Sequence, residues 1–595
     1  MRNKNLQTII VFLISTIVSK LVFCMFNIPN NPIYIVICTF FLIIAIENII
    51  KNGYLLRSKK IAIVLGIFSF LIDIAIILDN KIVFTGDVGD SYIKNVFLEF
   101  EATDLLKLVL VFIISYIVCL NIGIMIATRK INILTVNNTE KTTLKNDLLF
   151  WTIFTIITIT CWSPFFLTYA PGSVLGDSTA SIAQGLNYSL LNNHHPVLYS
   201  IYVGFFMRIG RAFNNYNLGV ALYSFTQLII MSGIIGYAML WLKKKNVKLI
   251  YILLSWLYFV ANSIFARYAI IMWKDPLFCS FLFLMILLLF DVVKSNGEVL
   301  KNKFTIFRFT ILSLLIAFFR NNGFLIIFCI YIILLLVYRK KTLKFNIILG
   351  ATIILIALIQ GPVYSKLNIN SPFEEAVAIP LQQIARSVAY DGKITEKQKE
   401  FINQLLPEEK FKETYEPMIV DSVKWDPEFN KNFLYENKIE FFKVWAEMLI
   451  PNFSIYVKAY LMNTFGFWST HMQNWYGLAD TYIIWDKIES NNDYNIHRVD
   501  LIEKYFGHSI EKYFKEPTYI GSGTLFWIML LIIAILIING KTKYIISLLP
   551  AILTWITIMI STPVAFSLRY VFVLAYALPI MIAIPAIADV DNKTE

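Results

Sequence analysis

The chain has 595 residues, of which 57% are hydrophobic and 15% are charged, and its mean hydropathy is +0.65. Soluble domains carry about a quarter charged residues, so this composition excludes a soluble globular protein. The formal net charge of +12 does not indicate binding to nucleic acid, because the basic residues lie in short loops between long apolar runs.

The apolar runs predict the secondary structure of most of the chain. A helix needs about 20 apolar residues to cross a bilayer, and lipid offers the backbone no other hydrogen-bond partners, so such runs must be helical. The predicted spans are residues 6–26, 32–50, 61–79, 105–128, 149–168, 217–242, 249–267, 276–293, 304–319, 323–339, 345–365, 522–539, 543–561 and 569–588. The sequence therefore predicts an all-α polytopic membrane protein with about 14 transmembrane helices.

The charges of the loops predict the orientation of the chain. Lysine and arginine are concentrated in alternate loops, among them 243–248 and 294–303. Cytoplasmic loops carry an excess of these residues, so both termini are predicted to be cytoplasmic and the other loops to face outside. The abundance of Ile, Asn and Lys favours a bacterial source, and hence a plasma membrane whose outer face is the cell exterior.

One apolar stretch, residues 196–212, is not counted as a span. It begins with Pro196 and carries Arg208 and Arg211, and counting it would reverse the orientation of the lysine-rich loops on one side of it. We therefore predict an amphipathic helix that lies in the outer interface of the membrane.

Four regions follow from this arrangement. Residues 1–148 are predicted to form an N-terminal transmembrane region of four helices. Residues 149–365 contain the next seven predicted spans and an outer loop at 169–216, which we call the first outer loop. Residues 366–521, with mixed charge and many aromatic residues, are predicted to form an extracytoplasmic, mainly α domain, which we call the outer segment. Residues 522–595 return to the membrane as C-terminal helices.

Ionisable residues gather at the predicted outer ends of the core spans. Outer loops are normally poor in Lys and Arg, so those that are present need an explanation. The residues concerned are Arg267, Lys274, Arg320 and Arg569, together with Asp177, Asp275, His194 and His195. Snorkelling of a long side chain to the interface explains any single one of them, but it explains the group as a whole less well.

The loop that carries Asp177 reads YAPGSVLGDSTASIAQGLNYSLLNNHHPVLY. Its Gly- and Pro-rich exit from the membrane presents Asp177, and a carboxylate held there can act as a general base on a hydroxyl group. The alternative is that Asp177 caps a helix that begins at Ser178. The two roles do not exclude each other.

This loop, which ends in HHPVLY, resembles the first outer loop of the GT-C glycosyltransferases, such as the protein O-mannosyltransferases and the lipid A aminoarabinose transferases. The resemblance covers residues 149–365. The stretch MWKDPLF, with Asp275, is similar to the second outer loop of these enzymes, and FRNNGF, with Arg320, lies where they commonly have a basic residue near the lipid phosphate. The chain departs from their pattern in having Asp-Ser instead of Asp-Glu and His-Pro-Val instead of a double proline, which leaves the metal requirement and the substrate open.

The resemblance implies an enzyme that transfers a sugar from a polyprenyl-phosphate donor to a cell-envelope glycan, a lipid or a protein at the outer membrane face. It implies Asp177 as the general base, and Asp177 with Asp275 as the ligands of a divalent cation, Mg²⁺ or Mn²⁺, if one is required. The residues that it implies for binding the lipid phosphate are Arg267, Lys274, Arg320 and Arg569. Asp275 is also implied for positioning the acceptor. His194 and His195 are further candidates for positioning, one of them through a hydrogen bond to the sugar or the phosphate, and the alternative is that they only precede the helix that begins at Pro196.

Other interpretations stay open at this point. A transporter or flippase for a lipid-linked sugar is favoured by Glu47 and Asp73, which are ionisable residues inside predicted spans. A non-catalytic scaffold of the same fold is the third possibility. Adjacent residues of a helix point apart, so His194 and His195 do not predict a shared metal site.

The outer segment contains one stretch with helical periodicity, AIPLQQIARSVAYD. Its apolar residues Ile379, Ile384 and Val388 recur at near-helical spacing. The residues predicted for the polar side of this helix, facing either the active-site cavity or solvent, are Gln382, Gln383 and Arg386.

Overall fold

The computed structural model of the chain describes residues 2–25, 32–56, 58–85, 94–127, 134, 143–339, 342–470, 494–514, 521–565 and 568–588. Within these residues ten helices are long and apolar enough to cross a membrane, or eleven if a bent pair is counted as one span. The prediction of a mainly α-helical, multi-pass membrane protein is therefore confirmed. Both chain termini lie outside the described residues, and their cytoplasmic location stays a prediction.

The N-terminal region folds as four long helices and a short hairpin. The helices are α1 (Arg2–Met25), α2 (Pro32–Asn52), α3 (Lys59–Asp79) and α4 (Ala102–Ala127). Between α3 and α4, strands β1 (Ile82–Thr85) and β2 (Lys94–Phe97) pair antiparallel. Asp73 of α3 is fully buried, and one of its oxygens accepts a hydrogen bond from Ser115 of α4 at 3.0 Å. A neighbouring helix thus supplies one hydrogen-bond donor to this carboxylate, which lies in a predicted span.

Ten helices form the middle of the chain. They are α5 (Leu144–Thr168), α6 (Gly176–Gly185), α7 (Val197–Ala212), α8 (Tyr216–Lys244), α9 (Leu249–Ala261), α10 (Ser263–Ile270), α11 (Lys274–Lys294), α12 (Lys303–Phe319), α13 (Gly323–Tyr338) and α14 (Leu343–Leu358). Helix α11 is apolar on all sides and is buried along most of its length, as such helices usually are. The predicted spans at 304–319 and 323–339 are helices of only 17 and 16 residues, so the number of fourteen spans stays a prediction.

The single span predicted at 249–267 is wrong in detail, because the structure breaks it into α9 and α10 with a bend of 56°. The break lies at Asn262, whose backbone is extended and whose side chain accepts a hydrogen bond from the backbone N–H of Ile264. An asparagine in this position starts a new helix. The new helix turns Arg267 into the protein interior.

The predicted interfacial helix at 196–212 is α7, so the prediction of a helix there is confirmed, and its location at the membrane interface stays a prediction. Helices α6 and α7 cross at a pair of glycines. A Cβ atom on Gly185 would lie 2.6 Å from the Cα atom of Gly204, closer than real Cβ contacts allow. Only two glycines permit this approach, which fixes α6 and the carboxylate of Asp177 in its first turn.

The outer segment folds into short helices, and residues 373–456 share an apolar core of their own, whereas the helix Leu501–Phe506 packs on α5. They are α15 (Ala378–Ala389), α16 (Glu396–Leu405), α17 (Glu408–Thr414), α18 (Asp421–Lys424), α19 (Lys431–Glu436), α20 (Lys438–Leu449), α21 (Phe453–Asn463) and α22 (Leu501–Phe506). Leu381, Phe411 and Phe441 are fully buried in that core. The mainly α character of this region matches the prediction, while its extracytoplasmic location stays a prediction.

The placement of Gln382, Gln383 and Arg386 on a surface facing the cavity or solvent is wrong. All three are buried within the outer segment. Gln382 donates to the carbonyl of Glu416, and Gln383 accepts a hydrogen bond of 2.7 Å from the indole of Trp445. Helix α15 is packed on its polar side as well as its apolar side, so these groups hold the outer segment together.

The C-terminal region adds α23 (Ser522–Ile538), α24 (Leu549–Ile560) and α25 (Phe572–Ile587). The 3-10 turns Thr542–Leu548 and Leu568–Val571 lead into α24 and α25. Helix α25 is buried and packs against α11. The N-terminal region docks through α3 on α23, where the rings of Phe68 and Trp527 lie 6.2 Å apart.

Candidate functional site

A cavity lined by five of the predicted site residues has a volume of about 700 Å³. Its lining comes from separate parts of the chain and includes the side chains of Asp177, Lys274, Arg320, Lys424 and Arg569. Lys274 begins α11 and Arg320 follows the last residue of α12. The cavity therefore lies at the end of the helix bundle opposite the lysine-rich ends of these two helices.

A short backbone pairing explains why Asp177 and Lys274 meet. Residues 173 and 271 form a parallel bridge, in which Ser173 N–H donates to Ile270 and Met272 N–H donates to Ser173, each at 3.0 Å. The Ser178 hydroxyl then donates to the carbonyl of Met272 at 2.7 Å. The two segments run parallel at this bridge, so the residues that follow it in each segment, Asp177 and Lys274, lie side by side.

The carboxylate of Asp177 forms ion pairs with two cationic side chains. Its Oδ2 atom lies 3.5 Å from Nζ of Lys274 and 3.2 Å from Nη1 of Arg569. The guanidinium of Arg569 also lies over the Trp273 ring, 4.6 Å from its centroid, and donates to the Tyr570 hydroxyl at 3.0 Å. These contacts with aromatic residues hold the Arg569 guanidinium in position beside Asp177.

These cations decide the protonation state of Asp177. Burial by itself raises the pKa of this carboxyl, but the charges of Lys274 and Arg569 outweigh that effect and hold its pKa well below the usual range. Asp177 is thus ionised at neutral pH, and it is a weak base while both cations remain on it. The alternative role as a helix cap is wrong, because α6 begins at Gly176, after Leu175, and the carboxylate of Asp177 faces the cations.

The two histidines lie edge to face, with ring centroids 4.5 Å apart, and contact different groups. His195 is buried, and burial together with the charge of Lys274 lowers its pKa to about 3. Its neutral ring therefore accepts the hydrogen bond from Lys274 through Nδ1, at 3.3 Å. His194 instead places its Nδ1 3.6 Å from Oε1 of Glu375 in the outer segment. The pair connects the cations around Asp177 to that segment.

Stability is expected to fall with acidification at His195. The pKa of His195 in the folded chain, about 3, lies below its unfolded value of 6.5. The neutral ring therefore contributes its full stabilisation above pH 6.5, and this stabilisation is lost as the pH falls from 6.5 towards 3. The slope is at most about 1.4 kcal/mol per pH unit. Melting temperatures measured at pH 7.5 and pH 5 should therefore differ less in His195→Gln than in the native chain. The exposed His508, changed to Gln, is the control and should leave the difference unchanged.

Asp275 and Arg320 form a second ion pair beside the first. Their side chains meet at 2.9 Å, with Asp275 fully buried and Arg320 11% exposed. The guanidinium also lies 4.8 Å from the centroid of the Tyr570 ring. Arg320 thus presents one side to the cavity while Asp275 holds the other.

Arg267 does not belong to this site, and the prediction that it binds the lipid phosphate is wrong. It is 2% exposed, does not line the cavity, and donates to the backbone carbonyl of Phe514. The bend at Asn262 is the reason, because it directs the short helix α10 inward.

The carboxylates do not fit a shared metal ion. Over the described residues, no group of three or more His, Cys, Asp or Glu side chains comes together as metal ligands. Asp177 is paired with Lys274 and Arg569, and Asp275 is buried against Arg320. A divalent cation held by these two carboxylates would have to displace three cationic side chains.

The sequence did not reveal the part of the cavity wall that the outer segment contributes. Glu375, Asp421 and Lys424 line the cavity there, and we call these three residues the acidic wall. Lys424 is 2% exposed and pairs with Glu375 at 2.6 Å and with Asp421 at 2.8 Å. The spacing of these residues in the sequence does not predict their position, because contacts with distant parts of the chain bring them to the cavity.

Backbone contacts hold this wall in place. Val420 N–H donates to Pro563 at 2.9 Å, and Ala565 N–H donates to Met418 at 2.9 Å. The hydroxyl of Ser561 donates to the carbonyl of Glu375 at 2.6 Å. The outer segment is therefore joined to the same C-terminal loop that leads to Arg569.

A family model described as "Family of unknown function (DUF6020)" matches residues 186–593, which is more than half of the chain. The match includes the acidic wall and every predicted site residue except Asp177, which lies before it. No curated protein and no solved structure matches the chain. The chain belongs to the DUF6020 family, a family of unknown function.

Proposed function

We propose that the chain is a glycosyltransferase that moves a sugar from a polyprenyl-phosphate donor to a hydroxyl group of a glycan, lipid or protein of the cell envelope. In this proposal residues 149–365 are a GT-C-like core, and the cavity beside Asp177 is the active site. The cavity faces the cell exterior, because it lies at the opposite end of α11 and α12 from Lys294 and Lys303.

The convergence of Asp177, Lys274 and Arg569 on one cavity is the observation that supports the proposal most. Asp177 and Arg569 are 392 positions apart in the sequence, yet they are in contact. With the pair of Asp275 and Arg320 beside them, three cations surround two carboxylates and leave one positive charge in excess. A positive excess in a cavity suits a phosphate group, and arginine suits it especially well.

The donor phosphate competes with Asp177 for Lys274 and Arg569 in the proposed mechanism. Once they pair with the phosphate, the charges that keep the pKa of Asp177 low no longer act on the carboxylate alone, so it becomes a stronger base. The site thus activates its base only when the donor is bound.

The transfer step then uses these groups in one sequence. The acceptor oxygen attacks the anomeric carbon of the sugar and gives its proton to the Asp177 carboxylate. The bond between the anomeric carbon and the phosphate oxygen breaks, and the electron pair leaves with the phosphate. Lys274, Arg320 and Arg569 stabilise the negative charge on that leaving group.

Release of polyprenyl phosphate tests the proposal. The purified chain in lipid nanodiscs would be given a panel of short-chain polyprenyl-phosphate sugars, with simple glycosides and water as acceptors. We expect one donor to yield polyprenyl phosphate and a new glycoside or the free sugar, detected by mass spectrometry. Binding of each donor, measured in the same nanodiscs, covers the case in which the acceptor is missing.

Two results would count against a transferase. If none of the donors binds, the phosphate site is misassigned. If the chain in liposomes moves an intact lipid-linked sugar across the bilayer without cleaving it, the transporter interpretation replaces ours. The fully buried Asp73 would then be the first residue to examine.

A further inference from the structure

The charges that line the cavity differ from one side to the other. Around Asp177 the cations are in excess, whereas the acidic wall holds two carboxylates, Glu375 and Asp421, against the single cation Lys424. Lys424 is almost completely buried and pairs with both carboxylates. The cavity is therefore positive on one side and negative on the other.

One carboxylate oxygen of Glu375 lacks a hydrogen-bond donor among the described residues. Its Oε2 atom pairs with Lys424, but its Oε1 atom is buried and accepts no hydrogen bond from the described residues. Nδ1 of His194 lies 3.6 Å from Oε1, and burial lowers the pKa of that ring, which favours its neutral form. A buried acceptor of this kind costs free energy unless a donor reaches it.

We infer that the acidic wall binds the hydroxyl or amino groups of a neutral or amino sugar and excludes a sugar that carries a negative charge. This inference rests on the proposed function, since it places the sugar in the same cavity as the phosphate. Carboxylate oxygens only accept hydrogen bonds, so they match hydroxyl and ammonium donors. A uronic acid or another anionic sugar would bring like charge against Glu375 and Asp421, which is strongly unfavourable.

The geometry between the two sides supports a single ligand that spans them. His194 and His195 are consecutive, with ring centroids 4.5 Å apart, and they contact Glu375 and Lys274 respectively. The acidic wall is thus one histidine pair away from the cations proposed to hold the phosphate. A sugar joined directly to that phosphate, or an acceptor sugar beside it, reaches the wall from the same cavity.

Binding of matched lipids tests the inference. Affinity for the chain in nanodiscs would be measured for bare polyprenyl phosphate and for the same lipid carrying a neutral hexose, an amino hexose or a uronic acid. We expect the uronic lipid to bind at least about tenfold more weakly than the neutral one. Glu375→Gln should reduce that difference several-fold and weaken the amino hexose lipid, with binding of the bare lipid unchanged.

The controls separate the wall from the phosphate site and from folding. Glu374→Gln removes the same charge one residue away, at a side chain that does not line the cavity and that lies 3.6 Å from Lys431. It should behave like the native chain. Asp421→Asn is the second wall variant, which applies if Glu375→Gln lowers the melting temperature. Arg569→Gln should weaken all four lipids alike.

The same series identifies the sugar that occupies the wall. If the differences appear among the lipids, the wall holds the donor sugar. If the lipids do not differ but soluble methyl glycosides show the same preference and the same response to Glu375→Gln, it holds the acceptor. Equal binding of neutral and anionic sugars in both arms overturns the inference while leaving the phosphate site intact. Failure of the bare lipid to bind overturns the proposed function instead.

Discussion

Asp177→Asn is expected to lower the turnover of a bound donor by about 10³-fold, within the range usually contributed by a general base. Asparagine keeps the shape of the side chain but cannot accept the proton of the acceptor hydroxyl. It also leaves Lys274 and Arg569 without their carboxylate, so both cations are free to bind the donor phosphate more tightly. The expected signature is therefore a large fall in kcat with a KM for the donor that is unchanged or lower.

A matched variant exists at the other end of the bundle. Asp147 is also a largely buried aspartate paired with a lysine, Lys244, at 3.1 Å. Its replacement by Asn should leave turnover near the native value, which shows that loss of a paired carboxylate is not enough. Turnover of Asp177→Asn within a few-fold of the native rate would remove Asp177 as the base and leave it only the role of holding the two cations.

The parts of the fold that the sequence predicts are those governed by apolar length and periodicity. The long spans follow from the bilayer thickness. Arg208 and Arg211, which would be costly inside lipid, distinguish helix α7 from these spans. The sequence also predicts that Lys274, Arg320 and Arg569 lie together, because cations are uncommon at the predicted outer ends of spans.

What the sequence does not predict is set by contacts between distant residues. Arg267 has the same sequence signal as Lys274, but the break at Asn262 turns it into the interior. Asparagine followed by serine is a pattern that predicts the start of a helix, and it is the only sequence signal for this break. Glu375 and Lys424 offer no such pattern, since their place in the cavity depends on the pairing of residues 418–420 with 563–565.

The largest effect on stability is expected at the ion pair between Asp275 and Arg320. Asp275 is fully buried at the start of α11, and Arg320, at the end of α12, is its only cationic partner among the described residues. Arg320→Ala leaves the carboxylate buried without a counter-charge, which usually costs about 3–5 kcal/mol. We expect a marked fall in the melting temperature, measured without donor so that phosphate binding plays no part.

The double variant decides whether the charge or the packing causes that loss. Arg320 also lies against the rings of Phe278 and Tyr570, so part of the effect of Arg320→Ala is lost contact. Asp275→Asn removes the carboxylate charge while keeping its shape, and Asp275→Asn combined with Arg320→Ala should therefore be more stable than Arg320→Ala alone. Additive losses in the double variant would mean that the two side chains are independent. The ordering of Arg320 beside the cavity would then have to come from the aromatic rings alone.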